Sequence, residues 1–154
     1  YAIIAASTTP LWTDYSVEAQ VQLPAGAFGG GIGGRVNPAN GARYGAWIYP
    51  EGSLGGSNLL KLVKFHDWTT WNGTPMQQVS LSNVGTGWHT LKIVFNGSRI
   101  QVYYDGTLKI DVTDNYFDSL APYATGGISG DMWTYTGSYT MGLDNVVVST
   151  TANN

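Results

Sequence analysis

Aromatic side chains stand close to planar polar groups at several places in this sequence. Trp68 and Trp71 share one polar segment, and Trp133 and Tyr135 share a second segment with Asp131. The full set of candidate binding residues is Arg35, Tyr49, Trp68, Trp71, Asp131, Trp133 and Tyr135. Sugars present apolar ring faces edged by hydroxyl groups, which aromatic platforms and planar polar side chains recognise together. These segments therefore predict a carbohydrate-binding surface.

The same aromatic residues would also suit two roles that involve no sugar. Tryptophans can cap the open ends of a folded β-domain, where they stay partly exposed without any ligand. Tryptophan, tyrosine and arginine also dominate the hot spots of protein–protein interfaces. The sequence leaves both roles open beside carbohydrate binding.

Residues that could catalyse hydrolysis are scarce. Glycoside hydrolysis requires two carboxyl groups that face one bond, and the only glutamates are Glu18 and Glu51, in separate segments. Asp131 and Asp144 could form a pair in principle, but they are read more simply as ordinary loop or metal-site aspartates. A Gly-x-Ser-x-Gly motif is absent, there is no cysteine, and only two histidines could serve as a base. We therefore expect no catalytic residues and no enzymatic activity.

The composition limits the classes of partner. Only 11% of residues are charged and the net charge is −3, so few Lys and Arg are present to neutralise phosphates and we expect no nucleic-acid binding. No apolar run is long enough to span a bilayer, so we expect no membrane insertion. Abundant Thr, Ser, Asn, Gly and Tyr favour a secreted or cell-surface location.

Period-two alternation predicts the strands that position these residues. The segment from Trp88 to Val112 alternates apolar with polar residues, and Asn96-Gly97 and Asp105-Gly106 divide it by hairpin turns. This pattern predicts a three-stranded meander. Further strands are expected at 1–6, 15–23, 42–49, 59–65, 77–82, from 126 onwards and at 139–149. An aromatic loop is expected at Asp131–Tyr135.

The glycine-rich segment Ala27–Asn37 is not a phosphate-binding loop, because no Lys-Ser/Thr pair or helical pattern follows it. It predicts a bulged or tightly packed strand that another backbone or a ligand approaches closely. Since no window has helical periodicity, the whole pattern predicts an all-β, two-sheet antiparallel β-sandwich, or jelly roll, at residues 12–149. Residues 150–154 are expected to be a tail.

The order of these features resembles the concanavalin A-like, laminin-G-type jelly rolls. The matching segments, which lie between Trp12 and Val148, are WTDYSVEA at 12–19, GRV at 34–36, WHTLK at 88–92, IQVYYDG at 100–106 and LDNVVV at 143–148. That family includes lectins, carbohydrate-binding modules, adhesion domains and glucanases, so the resemblance implies the fold rather than one function. Its glucanases carry Glu-x-Asp-x-x-Glu on one strand, a motif absent here. The resemblance also implies a structural Ca²⁺ held by Asp144 and backbone carbonyls.

Taken together, these features predict a non-catalytic extracellular carbohydrate-binding module whose partner is a glycan or polysaccharide. The alternative is a structural subunit of an extracellular filament or adhesin. It arises because residues 1–11 contain an apolar strand, residues 1–6, that could pair beside the last strand of its own chain or be donated to a neighbour. Donation would make self-association depend on residues 1–6.

Overall fold

A computed structural model describes the backbone of residues 2–6 and all atoms of residues 11–135 and 137–150. Within these ranges the chain forms β-strands joined by turns and loops. The strands are β1 (Ala2–Ala6), β2 (Tyr15–Gln22), β3 (Gly29–Val36), β4 (Arg43–Tyr49), β5 (Leu59–Phe65), β6 (Gln77–Ser80), β7 (Trp88–Asn96), β8 (Arg99–Tyr104), β9 (Thr107–Thr113), β10 (Gly127–Trp133) and β11 (Gly142–Thr150).

These strands form two antiparallel sheets. The six-stranded sheet has the order β1-β10-β3-β4-β5-β6, and the five-stranded sheet has the order β11-β2-β7-β8-β9. The predicted all-β sandwich is confirmed, and the predicted meander is β7, β8 and β9. Within the described residues the helical element is a short 3₁₀ turn at Phe117–Ser119, and no described helix has the length and apolar character needed to cross a membrane.

The core lies between the two sheets and is built from the alternating residues that the sequence pattern indicates. Ala46 and Ile48 of β4 and Leu62 of β5 meet Ile93 and Phe95 of β7, and all five are buried. Burial of a large apolar side chain stabilises a fold by about 1.5–3 kcal/mol. The opposing rows of such residues therefore hold the sheets together.

The glycine-rich strand β3 lies inside the six-stranded sheet, between β10 and β4. At Gly34 a Cβ atom would lie 2.3 Å from Cε2 of Phe95, closer than packed carbon atoms approach. Glycine therefore allows the Phe95 ring of the other sheet to rest directly on the β3 backbone. This confirms the prediction of a tightly packed strand.

Two strands differ from what the sequence predicts. A loop is predicted at Asp131–Tyr135, but Asp131 and Trp133 belong to β10, which pairs along its length with the glycines of β3. Residues 2–6 pair with β10 of the same chain rather than with the last strand, β11. Donation of this strand to a neighbouring chain stays a prediction.

Candidate functional site

The outer face of the six-stranded sheet, which points away from the core, is unusually apolar where β4 and β5 run side by side. Trp47 and Tyr49 of β4 and Val63 and Phe65 of β5 form a second buried cluster there. A sheet face of this kind must be covered or must serve as a binding surface. Three rings from neighbouring segments pack partly over it, namely Phe28, Trp71 and Trp133.

A cavity of about 260 Å³ opens among these rings, and we call it the aromatic cavity. Strands β4 and β5 form its floor, and Phe28, Trp71 and Trp133 stand around its rim. Its lining consists of Phe28, Trp47, Tyr49, Gly55, Lys61, Val63, Phe65, Thr69, Trp71 and Trp133. Several ring faces, the ammonium group of Lys61 and the hydroxyl group of Thr69 therefore converge on one concave space, which is the usual composition of a small-molecule site.

Lys61 brings an ammonium group to the wall of the aromatic cavity. Its Nζ donates a hydrogen bond to the carbonyl oxygen of Gly55 at 2.5 Å and lies 4.5 Å from the centroid of the Tyr49 ring. Burial lowers the pKa of Lys61 from its usual value. An ammonium has three donors, so the group that packs on Tyr49 can also donate to an oxygen atom of a ligand.

A turn around Asp67 carries Thr69 and Trp71 to the cavity. Oδ1 of Asp67 accepts hydrogen bonds from the backbone N–H groups of Thr69 and Thr70, each at 2.8 Å, and Oδ2 accepts one from the Thr70 hydroxyl at 2.7 Å. Because these donors favour the charged carboxylate, they lower the pKa of Asp67 to about 2. At neutral pH the charged Asp67 side chain therefore fixes the shape of this turn, which we call the Asp67 turn.

An ion pair lies beside Trp47 on the same outer face. Nε of Arg43 lies 2.8 Å from Oδ2 of Asp131, and both side chains are fully buried. The Trp47 indole N–H donates to the same oxygen at 3.4 Å, and Nη1 of Arg43 donates to the carbonyl oxygens of Gly41 at 2.9 Å and Asp67 at 3.1 Å. The pair thus connects β4, β10 and the Asp67 turn.

Two buried polar atoms next to this ion pair, Oδ1 of Asp131 and Oγ of Ser129, have no hydrogen-bond partner among the described residues. Ser129 lies over Gly33 of β3, where a Cβ atom would be 2.3 Å from Oγ of Ser129 and 3.3 Å from Oδ2 of Asp131. Glycine at position 33 therefore leaves the space that Ser129 and the ion pair occupy. Buried polar atoms of this kind are usually hydrogen-bonded to an ordered water molecule.

The structure brings three of the predicted binding residues, Tyr49, Trp71 and Trp133, together around the aromatic cavity. Tyr135 lies next to them: it stacks on Phe28 with 6.2 Å between ring centroids and is 70% exposed. Trp68 does not line the cavity. Its ring covers Gly41, where a Cβ atom would lie 2.2 Å from Cδ2 of Trp68.

Arg35 lies away from the aromatic cavity and is buried. Its Nη1 donates to the carbonyl oxygens of Gly97 at 2.6 Å and Tyr123 at 2.7 Å, and its Nη2 contacts the Thr13 carbonyl oxygen at 3.0 Å and Oδ1 of Asp14 at 3.2 Å. These partners come from three different loops. The guanidinium therefore ties the loops together, and the structure does not bring Arg35 to the aromatic cavity.

Asp144, the residue predicted to hold Ca²⁺, lies exposed on the edge strand β11. Its Oδ1 accepts a hydrogen bond from the backbone N–H of Asn145 at 2.7 Å. Among the described residues, no three acidic or histidine side chains gather into a group that could hold a metal ion. Ca²⁺ also takes backbone carbonyl oxygens as ligands, and calcium binding at Asp144 stays a prediction.

Seven residues that line the cavity are not predicted from the sequence: Phe28, Trp47, Gly55, Lys61, Val63, Phe65 and Thr69. The sequence does carry a pattern that indicates some of these residues. The segment 59–65 is apolar at both alternating sets of positions, Leu60 and Leu62 on one face and Val63 and Phe65 on the other. A strand that is apolar on both faces is covered on both, which points to a second packed surface outside the core.

Comparisons with known proteins identify the fold and leave the family open. No protein-family model and no curated protein sequence matches the chain. Among solved structures, a carbohydrate-binding module, CBM66 from Bacillus subtilis, is similar with a TM-score of 0.72 and 18% identity, over 92% of this chain and 78% of that one. A congerin II double mutant has a TM-score of 0.62 and 12% identity, over 94% of this chain and 98% of its own. Sheep galectin-11 has a TM-score of 0.57 and 12% identity, over 94% of each chain.

Proposed function

We propose that this chain binds carbohydrate through the aromatic cavity. The observation that carries the proposal is the convergence of Trp47, Tyr49, Trp71 and Trp133 on one cavity that also has an ammonium and a hydroxyl group in its wall. Aromatic faces pack against the C–H faces of sugar rings, while Lys61 and Thr69 can bond to ring hydroxyls. The name of the carbohydrate-binding module with the similar fold supports the same class of ligand.

We further propose that the chain is not a hydrolase. Glu18 and Glu51 do not line the aromatic cavity, and Asp131 is paired with Arg43 beneath it. Asp131 is fully buried on the six-stranded sheet and Asp144 is exposed on the five-stranded sheet, which does not favour a catalytic pair of carboxyl groups. The similar solved structures carry the names of a binding module, a congerin and a galectin, which favours a non-catalytic role.

A location outside the cell is part of this proposal and rests on composition: Thr, Ser, Asn, Gly and Tyr are abundant and charged residues are few. Assembly into a filament by donation of residues 1–6 stays the alternative prediction. In the single chain, residues 2–6 lie beside β10.

The test is affinity electrophoresis and titration calorimetry against a panel of soluble polysaccharides. Trp71→Ala and Trp133→Ala should each weaken the binding of the recognised polysaccharide by about tenfold or more, because each change removes a ring from a hot spot of the site. Trp88→Ala is the matched control, since Trp88 is 46% exposed and lies on the five-stranded sheet. It should bind like the unmodified protein. Equal affinity of all four proteins would place the binding site elsewhere.

A further inference from the structure

A second cavity of about 220 Å³ lies directly beside the aromatic cavity, at the end of the sandwich where β10 leads towards β11. Phe28 belongs to the lining of both cavities. The Phe28 ring contacts the Trp133 ring edge-on, with 6.5 Å between the centroids. It also stacks on the Tyr135 ring, with 6.2 Å between the centroids. The two cavities are therefore neighbouring parts of one surface, and Phe28 is the ridge between them.

The ridge is held in place by hydrogen bonds on both sides of it. The Ser53 hydroxyl donates to the carbonyl oxygen of Phe28. The Tyr139 hydroxyl accepts from the backbone N–H of Gly29 at 3.2 Å and lies 2.6 Å from the carbonyl oxygen of Trp133. Because these contacts fix the backbone around Phe28, both cavities are formed before any ligand arrives, which lowers the entropic cost of binding.

The second cavity has the mixture of groups that suits a sugar. Tyr135 offers a ring that is 70% exposed, Leu54 is 73% exposed, and the hydroxyl groups of Thr134 and Ser138 belong to the same lining. Large apolar groups with so much exposed surface beside a cavity mark binding surfaces. Each cavity alone is smaller than the roughly 300–1,000 Å³ of a typical ligand pocket, whereas the two together fall inside that range.

We infer that the ligand is an extended oligosaccharide, longer than a disaccharide, which crosses the Phe28 ridge and occupies both cavities. This inference rests on the proposed function of the aromatic cavity and adds the size of the ligand to it. One part of the ligand packs among Trp71, Trp133 and Tyr49. The continuing part lies against Tyr135 in the second cavity.

The test is titration calorimetry with cello-, xylo-, malto- and fructo-oligosaccharides of one to six units. In the series that binds, oligosaccharides longer than the disaccharide should bind about threefold to tenfold more tightly, the gain of one further aromatic contact. Tyr135→Ala should abolish this gain and leave the affinity for the disaccharide unchanged. Gly137→Trp should do the same by narrowing the second cavity, because Gly137 is part of its lining and a Cβ atom there would meet no described residue within 4 Å other than its chain neighbours.

Tyr116→Ala is the matched control, because Tyr116 is 63% exposed and lines neither cavity. A disaccharide that binds as tightly as longer chains would overturn the inference and leave the proposed function standing. A gain with length that survives both Tyr135→Ala and Gly137→Trp would also overturn it. If no oligosaccharide and no polysaccharide binds, the proposed function fails and the inference fails with it.

Discussion

Arg43 is the residue whose removal should harm the fold most clearly. It forms a fully buried ion pair with Asp131, and its guanidinium also lies 4.0 Å from the centroid of the Phe65 ring. Arg43→Met would leave the Asp131 carboxylate buried without its cationic partner. We expect the free energy of unfolding, measured by urea denaturation, to fall by about 3–5 kcal/mol.

The control for this prediction is Arg99→Met. Arg99 also pairs with an aspartate, Asp111, at 2.7 Å, but the Arg99 side chain is 54% exposed. Solvent screens such a pair, so its loss should change the unfolding free energy far less. Similar losses in the two variants would contradict the structural role of the buried pair.

Buried tyrosines should make the protein less stable at alkaline pH. Burial raises the pKa of Tyr15 to about 12, and burial together with a hydrogen bond to Asp114 raises the pKa of Tyr44 far above its ordinary value. An unfolded tyrosine has a pKa of about 10. Since the folded pKa values are the higher ones, the unfolding free energy should be constant below about pH 10 and fall as the pH rises towards about 12.

This dependence can be measured by urea denaturation at a series of pH values. Tyr15→Phe should be less stable at neutral pH, because the Tyr15 hydroxyl donates to the carbonyl oxygen of Gly127 at 2.8 Å. Its stability should nevertheless decline less steeply above about pH 10. An unmodified protein with a flat profile through this range would show that these hydroxyls ionise freely.

At the scale of elements, the Asp67 turn should control the affinity for carbohydrate without contacting the ligand through Asp67 itself. Asp67→Ala removes the acceptor for the N–H groups of Thr69 and Thr70, so Thr69 and Trp71 lose their fixed position at the cavity. We expect a severalfold weaker affinity for the recognised polysaccharide, with little change in melting temperature. Asp67→Asn keeps one side-chain oxygen as an acceptor and should retain most of the affinity. An Asp67→Ala variant that binds as tightly as the unmodified protein would mean that this turn does not shape the site.

The strands were largely predictable because most of them alternate apolar and polar residues along the chain. Strand β10 was predicted only in part, because its residues pair with the glycines of β3, almost a hundred positions away in the sequence. Distance in sequence also explains why the burial of Arg35 and Asp131 was not predicted. Their burial depends on partners that only the folded chain supplies, such as Arg43 for Asp131, so a local pattern makes them look like exposed polar groups.

The candidate site was predictable to a smaller degree. Tyr49, Trp71 and Trp133 stand out by residue type, and the structure brings them together. Phe28 gave no comparable signal, because an isolated phenylalanine is usually a core residue. Phe65 was indicated only indirectly, by the segment 59–65 that is apolar on both faces. Which ring faces the core and which faces the outer cavity depends on strand register and on the covering loops, and both are properties of the tertiary fold.

At the scale of the whole molecule, the two outer faces differ in chemistry. The outer face of the five-stranded sheet is polar at its centre, where Glu18 pairs across strands with Lys92 and Lys92 with Tyr103. The outer face of the six-stranded sheet carries the aromatic cavity and, beside it, the Phe28 ridge. This asymmetry favours the six-stranded sheet as the carbohydrate-binding face.

The most direct measurement is a nitrogen–proton correlation spectrum of the tryptophan indole N–H groups, recorded while the recognised oligosaccharide is added. The six tryptophans of the chain report on different places, and single Trp→Phe variants assign their signals. The signals of Trp71 and Trp133, at the rim of the aromatic cavity, should shift, whereas that of Trp88, on the other sheet, should not. Shifts at Trp88 with Trp71 and Trp133 unchanged would contradict the assignment of the site to the six-stranded sheet.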